Sequence, residues 1–281
     1  MKKAIFTGLG CMLCVFVYAA ADTVRLASPD GRTNVAVWYE NGLRYSVLHN
    51  GVPLLVASEI DMTVLDGGVR KRIGRIRAVS RRKVDERISV PIPEKRRIIA
   101  NECNELEICC RNSYMIRFRA YDDGVAYRIE TGFRDSVLVV GETARFNFPA
   151  MSRTYFPRIT CRADADIFHT AFEENYPCVR VDSLGPDAFG YLPVLVVPER
   201  GARIAVVESD LESYPGMFLK GCGAPSLEGV FAGYPLEWKQ TKGEYPDVVV
   251  TRRADYIARV KGTRNFPWRI AVVAEEDRDL P

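Results

Sequence analysis

Residues 168–176 hold the densest group of side chains that could do chemistry in this 281-residue chain. The stretch reads Phe-His-Thr-Ala-Phe-Glu-Glu-Asn-Tyr and contains His169, one of only two histidines, and the adjacent carboxylates Glu173 and Glu174. Carboxylates beside an amide such as Asn175 are oxygen ligands that calcium prefers, and a carboxyl group can also act as a general acid or base. Adjacent glutamates in a loop are more often solvated surface, so the spacing alone leaves all three interpretations open.

The elements that must position these side chains are β-strands. Apolar runs of five to eight residues recur between turn signals, and helical spacing is nearly absent. Asn50-Gly51 between two apolar runs is typical of a tight hairpin. The pattern predicts one all-β domain, residues 22–281, with the strands of a sandwich or barrel. The expected strands cover residues 33–40, 43–48, 52–56, 60–65, 105–110, 114–121, 125–131, 136–141, 143–148, 191–197, 203–208, 256–261 and 268–274.

The most informative hairpin spans residues 114–130. Its first strand alternates apolar and polar side chains, and Asp122-Asp123-Gly124 then reverses the chain. We expect Gly124 to adopt the positive φ that tight hairpin turns require. The alternation places Ile116, Phe118 and Ala120 on one face of the strand and Arg117, Arg119 and Tyr121 on the other.

The same hairpin carries a family signature. Residues 118–128, Phe-Arg-Ala-Tyr-Asp-Asp-Gly-Val-Ala-Tyr-Arg, resemble the N-terminal domain of glycoside hydrolase family 97, secreted bacterial enzymes of the α-glucosidase and α-galactosidase type. Four further segments resemble parts of that domain in the same order, namely residues 28–31, 142–149, 208–217 and 263–269. The resemblance implies a large antiparallel β-sandwich, a super-sandwich like that of galactose mutarotase, and a carbohydrate partner (an α-glucan or α-galactoside).

The resemblance also implies a metal ligand in the segment described first. Residues 172–176 are similar to a Tyr-Glu-x-x-Tyr element of the family, with Phe172 in place of the first tyrosine. In the family this glutamate joins glutamates of the catalytic barrel around a calcium ion near the substrate. The resemblance therefore assigns calcium binding to Glu173, with Glu174 as the alternative, whereas His169 matches no family motif.

The catalytic groups themselves are expected elsewhere. In the resembled family both catalytic carboxylates come from a (β/α)₈ barrel, and no strand-helix alternation of roughly 250 residues follows residue 274 here. We therefore expect this chain to pack on such a barrel and to be inactive alone. One alternative is a stand-alone periplasmic carbohydrate-binding module with Trp238 or Tyr234 stacking on sugars. The other is an epimerase or mutarotase that uses His49 or His169, although neither lies in a recognisable mutarotase motif.

The first residues predict export. Lys2 and Lys3 precede an apolar run over residues 4–18, and the alanines at 19–21 supply an A-x-A cleavage site. The run is shorter than the roughly 20 apolar residues of a membrane span. Residues 1–21 are therefore interpreted as a signal peptide that is removed together with Cys11 and Cys14, leaving a periplasmic or secreted chain.

Composition sets weaker limits on function. An apolar fraction of 47% allows a substantial core, and a net charge of +3 favours no particular partner. The basic run over residues 70–83 lacks aromatic side chains, so we interpret it as a charged sheet edge rather than a nucleic-acid site. The six cysteines after residue 21 match no zinc spacing; we expect most to be small buried residues, with at most one or two disulfides.

Overall fold

A computed structural model describes residues 23–93, 95–160, 166–240, 242 and 248–280. The predicted signal peptide and Cys161 lie outside these ranges. Within them, no helix is long and apolar enough to cross a membrane. Two 3₁₀ turns, Val181–Ser183 and Asp277–Asp279, accompany the strands there.

The strands are numerous, as the sequence predicts, but several of them are longer than the predicted five to eight residues. In chain order they are β1 Val24–Ala27, β2 Thr33–Tyr39, β3 Leu43–His49, β4 Val52–Asp66, β5 Val69–Arg72, β6 Ile76–Ser89, β7 Ile98–Cys110, β8 Tyr114–Tyr121, β9 Gly124–Gly132, β10 Val137–Asn147, β11 Arg153–Tyr155, β12 Cys178–Arg180, β13 Phe189–Gly190, β14 Val194–Val197, β15 Arg203–Ser209, β16 Met217–Gly221, β17 Ser226–Phe231, β18 Pro235–Gln240, β19 Val248–Arg253, β20 Ala258–Val260, β21 Thr263–Asn265 and β22 Trp268–Ala274.

These strands form two large antiparallel sheets and a separate two-stranded ribbon. Sheet 1 has the order β1-β2-β3-β4-β10-β17-β16-β13, with β5 beside β4 and β20 beside β10. Sheet 2 has the order β12-β11-β14-β15-β22-β9-β8-β7-β6, with β21 beside β9. Strands β18 and β19 pair only with each other and are called the ribbon below.

The apolar faces of the two sheets pack on each other and form the core. The ring of Tyr45, in sheet 1, lies 5.7 Å from that of Phe118 and 5.5 Å from that of Tyr127, both in sheet 2. Along β8 buried and half-buried residues alternate with the predicted period of two. The prediction of a large antiparallel β-sandwich is confirmed.

Two long strands each look like two strands in the sequence. Residues 52–56 and 60–65 belong to one strand, β4, which bulges near Ala57, where φ is 42°. Residues 136–141 and 143–148 likewise merge in β10, whose pairing with β4 shifts between Val139 and Gly141. A bulge inserts an extra residue and interrupts the alternation of side chains, which explains the apparent breaks.

The expectation that Gly124 adopts a positive φ in the turn is wrong. Tyr121 pairs with Gly124, so Asp122 and Asp123 form the turn, and Gly124 is the first residue of β9 with no positive φ. A Cβ atom at Gly124 would lie 2.9 Å from the carbonyl oxygen of Ala271 in β22. Glycine is needed there because the neighbouring backbone comes too close for any side chain.

The basic run lies where a protected edge was predicted. Most of its residues fall in β5 and at the start of β6, and β6 is the last strand of sheet 2. Nearly all of β6 is exposed, including Arg77 and Arg81. Charged side chains along an unpaired edge oppose pairing with a second chain, so the interpretation as a charged sheet edge is confirmed.

The outer face of sheet 2 carries a tight group of arginines around one carboxylate. The side chain of Glu105 is 0% exposed and accepts hydrogen bonds from Arg82 (2.5 Å), Arg117 (2.6 Å) and Arg119 (2.8 Å). Burial alone would raise the pKa of Glu105, but the hydrogen bonds and charges of the three arginines outweigh burial and lower the pKa to about 2. Glu105 therefore stabilises the folded state in its ionised form.

Replacing Glu105 by glutamine is expected to flatten the acid dependence of stability. The folded-state pKa lies below the ordinary value of 4.5, so the stabilisation is complete above that value and is lost as the pH falls towards about 2. The free energy of unfolding of the wild type should fall by roughly 1 to 3 kcal/mol more than that of Glu105→Gln between about pH 5 and about pH 2.5. Urea unfolding at both pH values measures the difference.

Glu102→Gln is the matched control, because Glu102 lies in the same strand but is exposed and pairs with the exposed Arg87. Its acid dependence should match that of the wild type. Equal acid dependence of the Glu105→Gln variant and the wild type would contradict the role given to the arginine cluster.

Candidate functional site

The segment predicted to carry chemistry is a loop between β11 and β12, and its two glutamates differ in environment. Glu174 Oε1 accepts a hydrogen bond from the backbone N–H of Thr160 (3.1 Å), and the backbone N–H of Glu174 donates to the Tyr191 hydroxyl (3.1 Å). Glu173 is exposed, and its carboxylate makes no hydrogen bond or ion pair with the residues that the structure describes. Glu174 thus anchors the loop, whereas Glu173 is available to an outside ligand.

Aromatic rings fix this loop on the sandwich. The ring of Phe168 lies 5.4 Å from Phe189 and 5.3 Å from Phe218 in edge-to-face contacts. Phe172 contacts Tyr191 at 5.3 Å and Phe218 at 5.7 Å. Edge-to-face ring pairs add to the hydrophobic stabilisation. The residue before Glu173 is therefore held at two points.

Phe172 also has an uncommon backbone conformation. Its φ is 53°, in the left-handed region that bulky residues rarely adopt. Such strain costs about 1 to 3 kcal/mol, persists only where the surroundings enforce it, and is concentrated at functional sites. The ring contacts of Phe172 supply that constraint, and the strained residue directly precedes the exposed carboxylate.

An ion pair connects the loop to the ribbon. Arg253, the last residue of β19, pairs with Asp166 of the loop and donates from Nη1 to the carbonyl oxygen of Gly233 (2.9 Å). Its guanidinium also lies 5.3 Å from the centre of the Phe168 ring. The loop and the base of the ribbon are therefore one connected unit.

Of the aromatic residues considered for sugar stacking, one lies on this ribbon and the other directly before it, and neither lies in a large sheet. Trp238 is in β18 and is 66% exposed. Tyr234 directly precedes β18 and stacks on Tyr256, with ring centroids 5.5 Å apart. The ring of Trp238 is therefore open to solvent, whereas one face of the Tyr234 ring is covered by Tyr256.

The two histidines have different surroundings. His49 is buried at the end of β3, with Nδ1 at 2.9 Å from Thr33 Oγ1 and Nε2 at 2.8 Å from Glu275 Oε1. Both ring nitrogens of His49 are therefore engaged, one with the neighbouring strand β2 and the other with the residue that follows β22. His169 lies in the loop and is exposed.

Neither metal clusters nor disulfides are found among the described residues. No group of three or more His, Cys, Asp or Glu side chains there could hold a metal ion by itself. The five described cysteines are free, and only Cys103 and Cys110 are buried, so the expectation that most are buried is wrong for these five. Adjacent Cys109 is exposed because neighbouring residues of a strand face opposite sides.

A second charged group lies between the sheets, and its members are far apart in the sequence. Arg269 of β22 donates to Glu142 of β10 from Nε (2.8 Å) and Nη2 (3.0 Å), and to Glu208 of β15 from Nη1 (2.5 Å). Tyr214 donates its hydroxyl to Glu142 (2.8 Å). The side chains of Arg269, Glu142 and Glu208 are only 1, 2 and 11% exposed. These four residues are called the inter-sheet network below.

Opposite charges keep Arg269 ionised in this apolar setting. Burial alone would lower the pKa of Arg269, but the charge and hydrogen bonds of Glu142 outweigh burial and raise the pKa above its usual range. Burial raises the pKa of Glu208 despite the attraction of Arg269. The only sequence signal for the network is a charged residue at an inward position of the otherwise apolar strand β22.

A family model described as Glycosyl-hydrolase 97 N-terminal matches residues 26–281. The chain belongs to this family. The family 97 domain is 34% identical over 284 residues to a retaining alpha-galactosidase from Bacteroides thetaiotaomicron, a match that covers 100% of this chain and 43% of that relative. The chain thus spans less than half the length of the relative.

Solved structures show the same fold. A Glycoside Hydrolase Family 97 enzyme from Pseudoalteromonas sp. strain K8, in complex with acarbose, has a TM-score of 0.71 at 17% identity, over 91% of this chain and 36% of that one. A beta-arabinopyranosidase also has a TM-score of 0.71, at 22% identity, over 90% of this chain and 40% of that one. Each of these chains is much longer than the part of it that matches this protein.

Family membership confirms the resemblance carried by the hairpin signature. All members of the inter-sheet network lie in segments that support the resemblance, residues 142–149, 208–217 and 263–269. In this family 97 domain those segments meet in the core, so we interpret them as structural and not catalytic.

Proposed function

We propose that this chain is the N-terminal part of a secreted glycoside hydrolase that acts on α-linked sugars. It packs on a catalytic barrel and contributes Glu173 to a calcium ion that it shares with that barrel. Support for a larger assembly comes from the relative, of which the chain covers only 43%. The α-linked substrate is inferred from that relative, a retaining alpha-galactosidase.

The observation that carries this proposal is the contrast between the two adjacent glutamates. Glu174 uses its carboxylate to hold Thr160, whereas Glu173 is exposed on a loop fixed by aromatic rings and a strained Phe172. A ligand that completes a site from outside must be exposed, correctly charged and held in place before the partner arrives. Glu173 meets these conditions.

The donor chemistry fits calcium, but only as part of a shared site. Calcium takes six to eight oxygen ligands, and carboxylates are among the preferred ones. Among the described residues, Glu173 belongs to no group of three or more acidic, cysteine or histidine side chains that could hold the ion. The remaining ligands therefore come from the barrel, and we expect the isolated chain to bind calcium weakly and to hydrolyse no glycoside.

Export follows from the sequence before residue 22. The basic and apolar residues followed by alanines suit a cleaved signal peptide, which directs the mature chain to the periplasm or the medium. Calcium is more available there than in the cytosol, and extracellular modules use weaker calcium sites. The proposed location and the proposed metal are consistent with each other.

Replacing Glu173 by glutamine is expected to weaken calcium binding to the assembled protein by about tenfold or more, because the substitution removes one anionic ligand. The measurement is calorimetric titration of calcium into the full chain mixed with the rest of the Bacteroides thetaiotaomicron relative, the portion that this chain does not match. Hydrolysis of a nitrophenyl α-galactoside by the same mixture reports whether the assembled protein is active.

Glu174→Gln is the matched control, because a glutamine side-chain oxygen can still accept the hydrogen bond from Thr160. This variant should bind calcium like the wild type. Tight calcium binding by the isolated chain, or equal loss in the two variants, would contradict the assignment of Glu173.

A further inference from the structure

The ribbon of β18 and β19 lies outside both large sheets of the described fold. All six residues of β18 are exposed, and β19 is exposed or half-buried throughout. The two strands pair only with each other, and neither joins a large sheet. Isolated two-stranded hairpins are at best marginally stable in water. The ribbon therefore lacks the packing that normally stabilises such an element.

The ribbon is also apolar where a solvated hairpin would be polar. Trp238 is 66% exposed and pairs with Val250, while Val248 and Leu236 are exposed as well. β19 begins with three consecutive valines, so apolar side chains point to both faces of the ribbon. Large exposed apolar groups gathered on one element mark interaction sites.

The base of the ribbon is continuous with the loop that carries Glu173. Arg253 ends β19, pairs with Asp166 and lies over Phe168, whose ring packs on the same phenylalanine, Phe218, as Phe172 does. A protein that receives Glu173 therefore lies next to the ribbon. This continuity indicates that the exposed apolar side chains of the ribbon contact the same protein that binds Glu173.

We propose that the ribbon is a docking arm for the same catalytic portion that receives Glu173, with Trp238 as its anchor. The inference rests on the proposed function and adds a second contact to it. The partner surface offers an apolar pocket for the indole, since buried tryptophans dominate binding energy in interfaces. Its rim is acidic, because Lys239, which follows Trp238 in the sequence, and Lys242 are both exposed.

Two other occupants fit the ribbon less well. A sugar would need a flat aromatic face together with directed polar groups, and the side chains around Trp238 are mainly valines, leucine and charged residues. A second copy of the chain would bring its own lysines against Lys239 and Lys242. The partner needs acidic side chains around the pocket for Trp238. The ribbon of a second copy does not supply them, because its Glu237 is already paired with Arg252.

The test measures docking separately from calcium binding. The full chain is immobilised, and binding of the rest of the Bacteroides thetaiotaomicron relative is followed by biolayer interferometry with and without calcium. Trp238→Ser should weaken binding by about tenfold or more under both conditions. Asp166→Asn, which removes the charge that pairs with Arg253 between the ribbon and the loop, should weaken binding by a smaller factor. Thermal unfolding of the isolated variants checks that both remain folded.

Ile92→Ser is the matched control, because Ile92 is an 83% exposed apolar residue outside the ribbon. Its binding should equal that of the wild type. If Trp238→Ser binds normally while Glu173→Gln loses calcium, the docking arm is wrong and the proposed function stands. If the wild type does not bind at all, both proposals fail. If the chain self-associates and Trp238→Ser abolishes this self-association, the partner of the ribbon is a second copy of the chain and the inference is overturned.

Discussion

Replacing Arg269 by methionine is expected to lower the free energy of unfolding by about 3 to 5 kcal/mol. The substitution removes the cation that pairs with both Glu142 and Glu208, whose side chains are 2 and 11% exposed. Two carboxylates left in an apolar interface lose both water and their partner, and leaving a buried charge unpaired is among the costliest single changes. Natural domains are stable by about 5 to 15 kcal/mol, so this loss is a large fraction of the total.

Urea unfolding followed by circular dichroism measures this change, and Arg252→Met is the matched control. Arg252 also pairs with a glutamate, Glu237, but both side chains are more than half exposed. Exposed ion pairs contribute about 1 kcal/mol or less, so the control should be nearly as stable as the wild type. A loss for Arg269→Met no larger than that of the control would show that the inter-sheet network does not stabilise the fold.

Replacing Phe118 by alanine is expected to cost about 3 to 5 kcal/mol for a different reason. Phe118 is 0% exposed, and its ring lies 5.7 Å from Tyr45 across the sandwich and 5.7 Å from Tyr127 on the neighbouring strand. Truncation removes buried apolar surface and leaves a cavity between rings that cannot easily collapse. The same unfolding experiment measures the loss.

Met115→Ala is the control within the same strand. Met115 faces outwards and is half-buried, so its truncation leaves no enclosed cavity, and the expected loss is about 1 kcal/mol or less. Similar losses for the two variants would mean that the alternation along β8 does not decide which side chains form the core.

The fold was predictable because its signals are local. Asn50 and Gly51 adopt φ values of 49° and 75°, the positive values that a two-residue hairpin requires. An Asn-Gly pair is the usual sequence of such a turn, so the residue types predict these values. The strands β8 and β22 have the predicted bounds because alternation and turn residues delimit them. The bulge near Ala57 was not predictable, since pairing with a neighbouring strand decides it.

The candidate site was predictable only in part, because its geometry depends on distant residues. The family resemblance selected Glu173, but the separation of roles depends on Thr160 and Tyr191, which hold Glu174. Arg269 and Glu142 are 127 residues apart, and no pattern in a single sequence pairs them. Such contacts are set by how the sheets fold together.

The inter-sheet network also restricts how one sheet can sit on the other. Arg269 and Glu208 belong to sheet 2 and Glu142 to sheet 1, so one guanidinium satisfies both carboxylates at a single lateral offset of the two sheets. Apolar burial is non-directional and would tolerate a small lateral shift of one sheet over the other. A shift that separates Arg269 from Glu142 would instead leave unpaired charges buried in the core. The network therefore fixes the lateral position of one sheet relative to the other. It keeps the strands that carry the Glu173 loop and the ribbon in one fixed relation to the rest of the domain.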